Sequence, residues 1–331
     1  MKAVSVFSKE ILYNALDNGA SDIHFCPLAA TVKIYFRIHG ERKFYNEISV
    51  NQYDRLISYY KFSAGMDIGE KRKPQNGAII FAYYEKSVAL RISSLPVHQS
   101  ESLAIRLLPQ NDTTSLNQLF LFPYQLEKIK EWIGHRSGVI LFTGPTGSGK
   151  TTTLYALLQT LLREQSYQTI TLEDPIEKEI KDLLQVQVNE NSGVTYQVGL
   201  KAALRHDPDI IMVGEIRDEK TARFVFHAAY TGHLVLSTLH AKNALGTIYR
   251  LKEMGISHTD LDQSLIAVAS LELLPIIMKN NIPSRAAILE LLDGTLLQEV
   301  IVEQETERNQ SFYTFKKLRR KAYAYGFTNK T

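Results

Sequence analysis

The sequence predicts an α/β chain in two parts: an N-terminal α+β domain, then a domain built on a mainly parallel sheet. Three observations carry that reading. Thr31 to Ile38 alternates, with Val32, Ile34, Phe36 and Ile38 on one side and Lys33, Tyr35 and Arg37 on the other, as a half-buried strand does. Beyond about Tyr124 the apolar runs no longer alternate and are separated by helical segments, the pattern of strands covered on both faces. Between one such run and the helix after it stands Gly144-Pro145-Thr146-Gly147-Ser148-Gly149-Lys150-Thr151. A length of 331 residues accommodates two domains, placed at 1–110 and 121–331 with a polar linker at 111–120.

The elements follow in order. Met1 to about Gly19 is an amphipathic helix, with Val6, Phe7, Ile11, Ala15 and Leu16 near one face. The strand at 31–38 comes next, then a second helix from Asn51 to about Ala64 and a charged loop, 65–77, holding Lys71, Arg72 and Lys73. Three further strands are expected at 78–84, 88–94 and 102–108. In the second part a helix from about Tyr124 leads into the strand Gly138–Thr143, and a helix runs from Lys150 to Leu162. Strands are expected at 169–172, 184–188, 210–213 and 234–237. The stretch from Leu271 to Ala287 reads as a short apolar helix and a loop. The stretch 312–327 interleaves lysines and arginines with aromatics. It reads either as a membrane-surface or nucleic-acid patch or, more simply, as an amphipathic helix with a solvated basic face.

The glycine-rich stretch has the spacing G-x-x-x-x-G-K-[ST], the phosphate-binding P-loop, and its context is strand before and helix after. That geometry aims free backbone N–H groups and the positive end of a helix dipole at one spot, where a triphosphate fits. Gly144, Pro145, Thr146, Gly147, Ser148, Gly149, Lys150, Thr151 and Thr152 are the nucleotide-binding candidates. Lys150 would reach the β- and γ-phosphates and the Thr151 hydroxyl would bind Mg²⁺. Ile210 to Val213 is a dry strand that delivers Glu215 beside the metal, although Gly214 stands where an aspartate is usual. Thr171 to Asp174 also ends a strand in acids. Glu173 and Glu215 are therefore candidates to divide the work of holding Mg²⁺ and orienting the attacking water. His240 follows the strand 234–237 on the ligand side and is a candidate for contact with phosphate or water; His233, at the other end, reads as structural.

These boxes, in this order, resemble the Walker A, Asp, Walker B and His boxes of the secretion ATPases: 144–155, 171–177, 205–218 and 231–240. Ser21-Asp22-Ile23-His24, the loop 65–72 and Arg91 to Pro96 resemble that family's N-terminal domain. The compact N-terminus and the run Gln185 to Asn189 look most like its competence branch. The resemblance implies a PAS-like first domain and a RecA-like second one. It also implies a homo-hexameric ATPase, peripheral at the cytoplasmic face of the cell membrane, using ATP and Mg²⁺. Such a motor acts on a polytopic inner-membrane platform protein and, through it, on pilin subunits, in assembly of a competence pseudopilus or type IV pilus for DNA uptake. Arginines of the N-terminal domain reach the phosphates in that family, and Arg91 and Arg106 are the matching positions. Two departures stand out. The four-cysteine zinc motif of many assembly ATPases is missing from 271–287, so zinc is not expected, and Arg37-Ile38-His39-Gly40 lacks the usual acid.

Composition narrows the alternatives. The single cysteine, Cys26, allows no disulfide within the chain and fits a reducing compartment. No secretory signal opens the chain and no apolar run is long enough to span a bilayer. A net charge of +3 argues against a helicase and against direct sequence-specific nucleic-acid binding. The intact Lys150, Thr151, Glu173 and Glu215 argue against a scaffold that binds nucleotide without turnover. A retraction motor or a type II secretion motor remains open.

Overall fold

Alternation in the first third of the chain and unbroken apolar runs in the rest fold into two sheets of different kind. The computed structural model describes residues 2–38, 40–98, 100–109, 115–164, 167–189, 193–277, 283–302 and 312–329. His39 and the first part of the linker (residues 111–114) lie outside the described residues. The chain divides into two units, Met1–Asp112 and Thr113–Thr331.

The first unit holds helices α1 (Lys2–Asp17) and α2 (Val50–Ser63) and strands β1 (Ala20–Pro27), β2 (Thr31–Ile38), β3 (Glu41–Ser49), β4 (Gln75–Tyr83), β5 (Lys86–Val97) and β6 (Ser100–Pro109). The strands form one antiparallel sheet in the order β3-β2-β1-β6-β5-β4. Alternation sends Ile23, Phe25, Val32, Ile34, Leu90, Ile92, Leu103 and Ile105 to one face, where Ile11 of α1 and Leu56 of α2 close the core. Each such side chain contributes roughly 1.5–3 kcal/mol by leaving water. Ser49 and Gln52 form a capping box that starts α2. Strands β1 and β3 are absent from the sequence-based reading. β3 is an exposed, charged edge with little apolar signal, and β1 interrupts its alternation with a bulge.

The second unit opens with α3 (Pro123–Trp132) and continues β7 (Gly138–Thr143), α4 (Lys150–Glu164), β8 (Thr169–Glu173), β9 (Leu184–Gln187), α5 (Tyr196–Ala203), β10 (Ile210–Val213), α6 (Glu219–Tyr230) and β11 (Leu234–Leu239). After these come α7 (Ala244–Glu253), α8 (His258–Ser264), β12 (Leu265–Ile277), β13 (Pro283–Asp293), α9 (Gly294–Ile301) and α10 (Phe315–Ala324). The sheet order is β13-β12-β7-β11-β10-β8-β9, parallel throughout except for β13. In β7, Val139 and Leu141 enter the core under α6 to α9, while Ile140 and Phe142 enter the one under α3 and α4. Burial on both faces is why these strands do not alternate.

The expected helix and loop at 271–287 is corrected: β12 and β13 pair antiparallel there, and residues 278–282 lie outside the described ones. Pairing decided the matter. β12 lies parallel beside β7 and so extends the central sheet, and an apolar run of this length has no period of its own to distinguish strand from helix.

The basic C-terminal segment is a helix docked on this hairpin. Leu318 and Ala322 of α10 pack with Phe122, Leu274 and Ile288. Arg319 donates to both oxygens of Glu272. The Lys321 ammonium lies 5.1 Å from the Phe122 and Tyr124 ring centres and 5.2 Å from that of Tyr313. Glu290 of β13, only 3 % exposed, accepts hydrogen bonds from Phe315 N at 2.6 Å and Ala244 N at 3.1 Å, so one carboxylate joins the starts of α10 and α7.

Candidate active site

The P-loop leaves β7 through Gly144, whose φ is +139°. A Cβ there would stand 2.7 Å from the Leu271 carbonyl oxygen, so only glycine fits. Pro145, Thr146 and Gly147 are exposed, and α4 starts at Lys150 with its N-terminus behind them. Lys150 is buried and its ammonium folds back onto the loop, donating to Gly144 O and Pro145 O, each at 2.9 Å. Burial pushes its pKa down, while Glu215 and Glu177 pull it the other way. The Ser148 hydroxyl is buried and has no hydrogen-bond partner among the described residues. An open loop, a helix N-terminus, a lysine and an unsatisfied hydroxyl together suit a polyphosphate. Thr151, the Mg²⁺ candidate, is half-buried, and Thr152 is exposed.

The two acids differ. Glu173 ends β8 facing inward and is 3 % exposed. Its carboxylate accepts from the Tyr155 hydroxyl, from Thr171 Oγ1 at 2.6 Å and from Gln185 Nε2 at 3.1 Å. The Tyr155 oxygen accepts in turn from the backbone N–H groups of Glu177 and Lys178. Burial and the adjacent Glu173 charge push the Tyr155 phenol far up, so it stays a donor. Glu215 follows β10 and is more open, at 20 % side-chain exposure. Arg217 Nε donates to its Oε1, and His240 Nε2 stands 3.4 Å from its Oε2. Arg217 Nη1 also donates to Asp174 at 2.8 Å, tying the ends of β8 and β10 together.

The second unit thus carries the P-loop, Glu173, Glu215 and His240 at the carboxyl ends of parallel strands, where such sheets bind ligands. His233 bonds the Ala228 carbonyl and the Thr231 hydroxyl at the opposite end of β11. Arg91 and Arg106 are cross-strand neighbours on β5 and β6 in the first unit, with Leu90, Ile92, Ile105 and Leu107 buried on the other face. Glu101, on the same strand as Arg106, pairs with the buried Lys61. Reading along the chain missed Arg217 and Tyr155 as groups that hold the acids. Their spacing to Asp174 and Glu173 carries no period, and Arg217, two residues after Glu215, was the one local signal.

A P-loop on a central parallel strand, with an acid at the end of a strand two places away, defines a P-loop nucleoside triphosphatase. A family model described as "Type II/IV secretion system protein" matches residues 1–318, and the chain belongs to that family. The competence protein ComGA of Bacillus subtilis is 43 % identical, the match covering 99 % of this chain and 96 % of that one. The type II secretion system ATPase E of Vibrio cholerae is 42 % identical over 78 % of this chain and 51 % of its own length. Among solved structures, the pilus retraction motor PilT with bound ADP superposes with a TM-score of 0.77. It is 30 % identical, and the match covers 97 % of this chain and 94 % of that one.

Proposed function

We propose that this chain is the ATP-hydrolysing motor that powers assembly of a competence pseudopilus or type IV pilus. The observation that carries the reading is the P-loop at the end of β7 with Glu215 open beside Arg217 and His240. Full-length similarity to a competence protein supports assembly over retraction, because the retraction motor is less similar over the same span. In this reading the P-loop N–H groups and Lys150 hold the phosphates. Mg²⁺, held through the Thr151 hydroxyl and Glu215, would neutralise charge on the transferring phosphoryl group. Glu215 keeps an oxygen toward His240 and can orient water. Glu173, with Tyr155, Thr171 and Gln185 on its oxygens, is the inner support of that strand end. Arg91 and Arg106 act as fingers on the phosphates.

The motor acts as a hexamer against a polytopic membrane platform protein and, through it, on pilins. Among the described residues no helix is long and apolar enough to cross a membrane, which agrees with attachment through that partner. The test is made in the parent organism. Replacing the protein by Lys150→Ala should abolish pilus assembly and DNA uptake, and affinity capture of the wild type should recover the platform protein. Normal uptake with Lys150→Ala refutes the motor reading.

A further inference from the structure

The open face of the N-terminal sheet bears one row of side chains in register across all six strands. In order from β3 to β4 these are Arg42, Arg37, Asp22, Arg106, Arg91 and Ala78. Like charges directly opposite one another weaken a sheet. The Arg37–Arg42 opposition is offset locally, Arg42 stacking on the Tyr35 ring and donating to Cys26 Sγ and Arg37 donating to Gly40 O, whereas Arg106, opposite Arg91, is held from within the row. Its single carboxylate, Asp22, is 8 % exposed. Oδ1 accepts from Arg106 Nε at 2.9 Å, while Oδ2 accepts from Ser21 Oγ at 2.8 Å and lies 4.0 Å from Arg37 Nε. Burial works against the Asp22 charge, but the bonds from Arg106 and Ser21 prevail and hold the carboxyl below its ordinary value. Arg106 keeps 57 % of its side chain exposed, and among the described contacts only its Nε is engaged.

A guanidinium held at Nε has its plane fixed while the Nη1–Nη2 fork, the edge that matches a phosphoryl group, stays free. We propose that Asp22 is the positioning residue of Arg106: it grips Nε so that the fork is presented ready-oriented to phosphate. The idea rests on the reading of Arg106 as a finger. Removing the grip leaves a long, flexible cation that must find its orientation at each turnover, so the loss falls on the rate and not on nucleotide affinity.

The test compares Asp22→Asn, Arg106→Ala and the double variant in the full chain, with ATP binding, steady-state turnover and thermal melting measured for each. Asp22→Asn should lower kcat by about tenfold or more with KM and nucleotide affinity within about threefold. In the Arg106→Ala background the same change should cost nothing further, because the group it positions is gone. If Asp22→Asn folds poorly, Asp22→Glu keeps the charge but moves it outward by one methylene, and should show the same fall in kcat at unchanged KM. A slow Arg106→Ala with a normal Asp22→Asn overturns this inference alone, as do additive losses in the double variant. A normal Arg106→Ala overturns the finger reading itself.

Discussion

Lys150 and Glu215 carry opposite charges, and the fold binds them differently. Lys150 is turned onto its own loop carbonyls, contacts a phosphate would replace. Lys150→Ala should therefore lose ATP binding and hydrolysis together, whereas Glu215→Gln should bind ATP and turn it over at least about a hundredfold more slowly. Nucleotide titration beside a phosphate-release assay checks this, and equal loss of binding in both would contradict the assigned roles. For Arg91→Ala and Arg106→Ala, folding and ATP binding should persist while turnover falls by about a hundredfold or more for one or both. Rates within a few-fold of wild type in both variants and in their double would reduce these arginines to surface charges. Legibility at this scale depended on sequence distance. The P-loop and the acid after β10 are spelled out by consecutive residues. The hydrogen-bond partners that hold the acids and the finger come from 18, 43 and 84 residues away, in Tyr155 to Glu173, Arg217 to Asp174 and Arg106 to Asp22.

At the scale of elements, strands buried on both faces and helices with a clear period could be read directly, and β7 and β10 begin and end where their apolar runs do. The β12–β13 hairpin could not, because a long apolar run gains its identity from the strand it lies beside. The docking of α10 was equally hidden. Its basic and aromatic residues suggest a free amphipathic helix, yet Arg319 and Lys321 are engaged within the unit. Glu290 makes that docking sensitive to pH. Burial raises its carboxyl above the ordinary 4.5, against the opposing bonds from Phe315 and Ala244 N–H. A group with a raised folded pKa stabilises fully below its unfolded value and loses that contribution as pH rises through the folded one. The melting temperature of the wild type relative to Glu290→Gln should therefore fall as pH climbs from about 4 to about 8. A difference that grows with pH would contradict the assignment.

At the scale of the molecule, the family resemblance implies a closed ring. Light scattering on micromolar protein with ATP and Mg²⁺ should give a mass of roughly six chains. A species that stays monomeric under those conditions would count against a motor. Nothing in one chain's composition speaks to such assembly; the expectation rests on the resemblance of the ordered boxes alone.

The two sheet orders carry a practical consequence, for colloidal behaviour. Each open sheet ends in unpaired backbone, a template for strand addition and aggregation. β9 is only four residues long, β3 carries Glu41, Arg42 and Lys43, and β13 is partly closed by Leu121 N and Leu119 O bonding to Ala287. Among the described residues β4 has no such guard: nine residues long and uncharged, it shows Ile80 at 62 % exposure. Concentrated protein should self-associate through that margin, and Ile80→Lys should raise its solubility while leaving ATP turnover unchanged. Equal turbidity of the two proteins on concentration would place the sticky edge elsewhere.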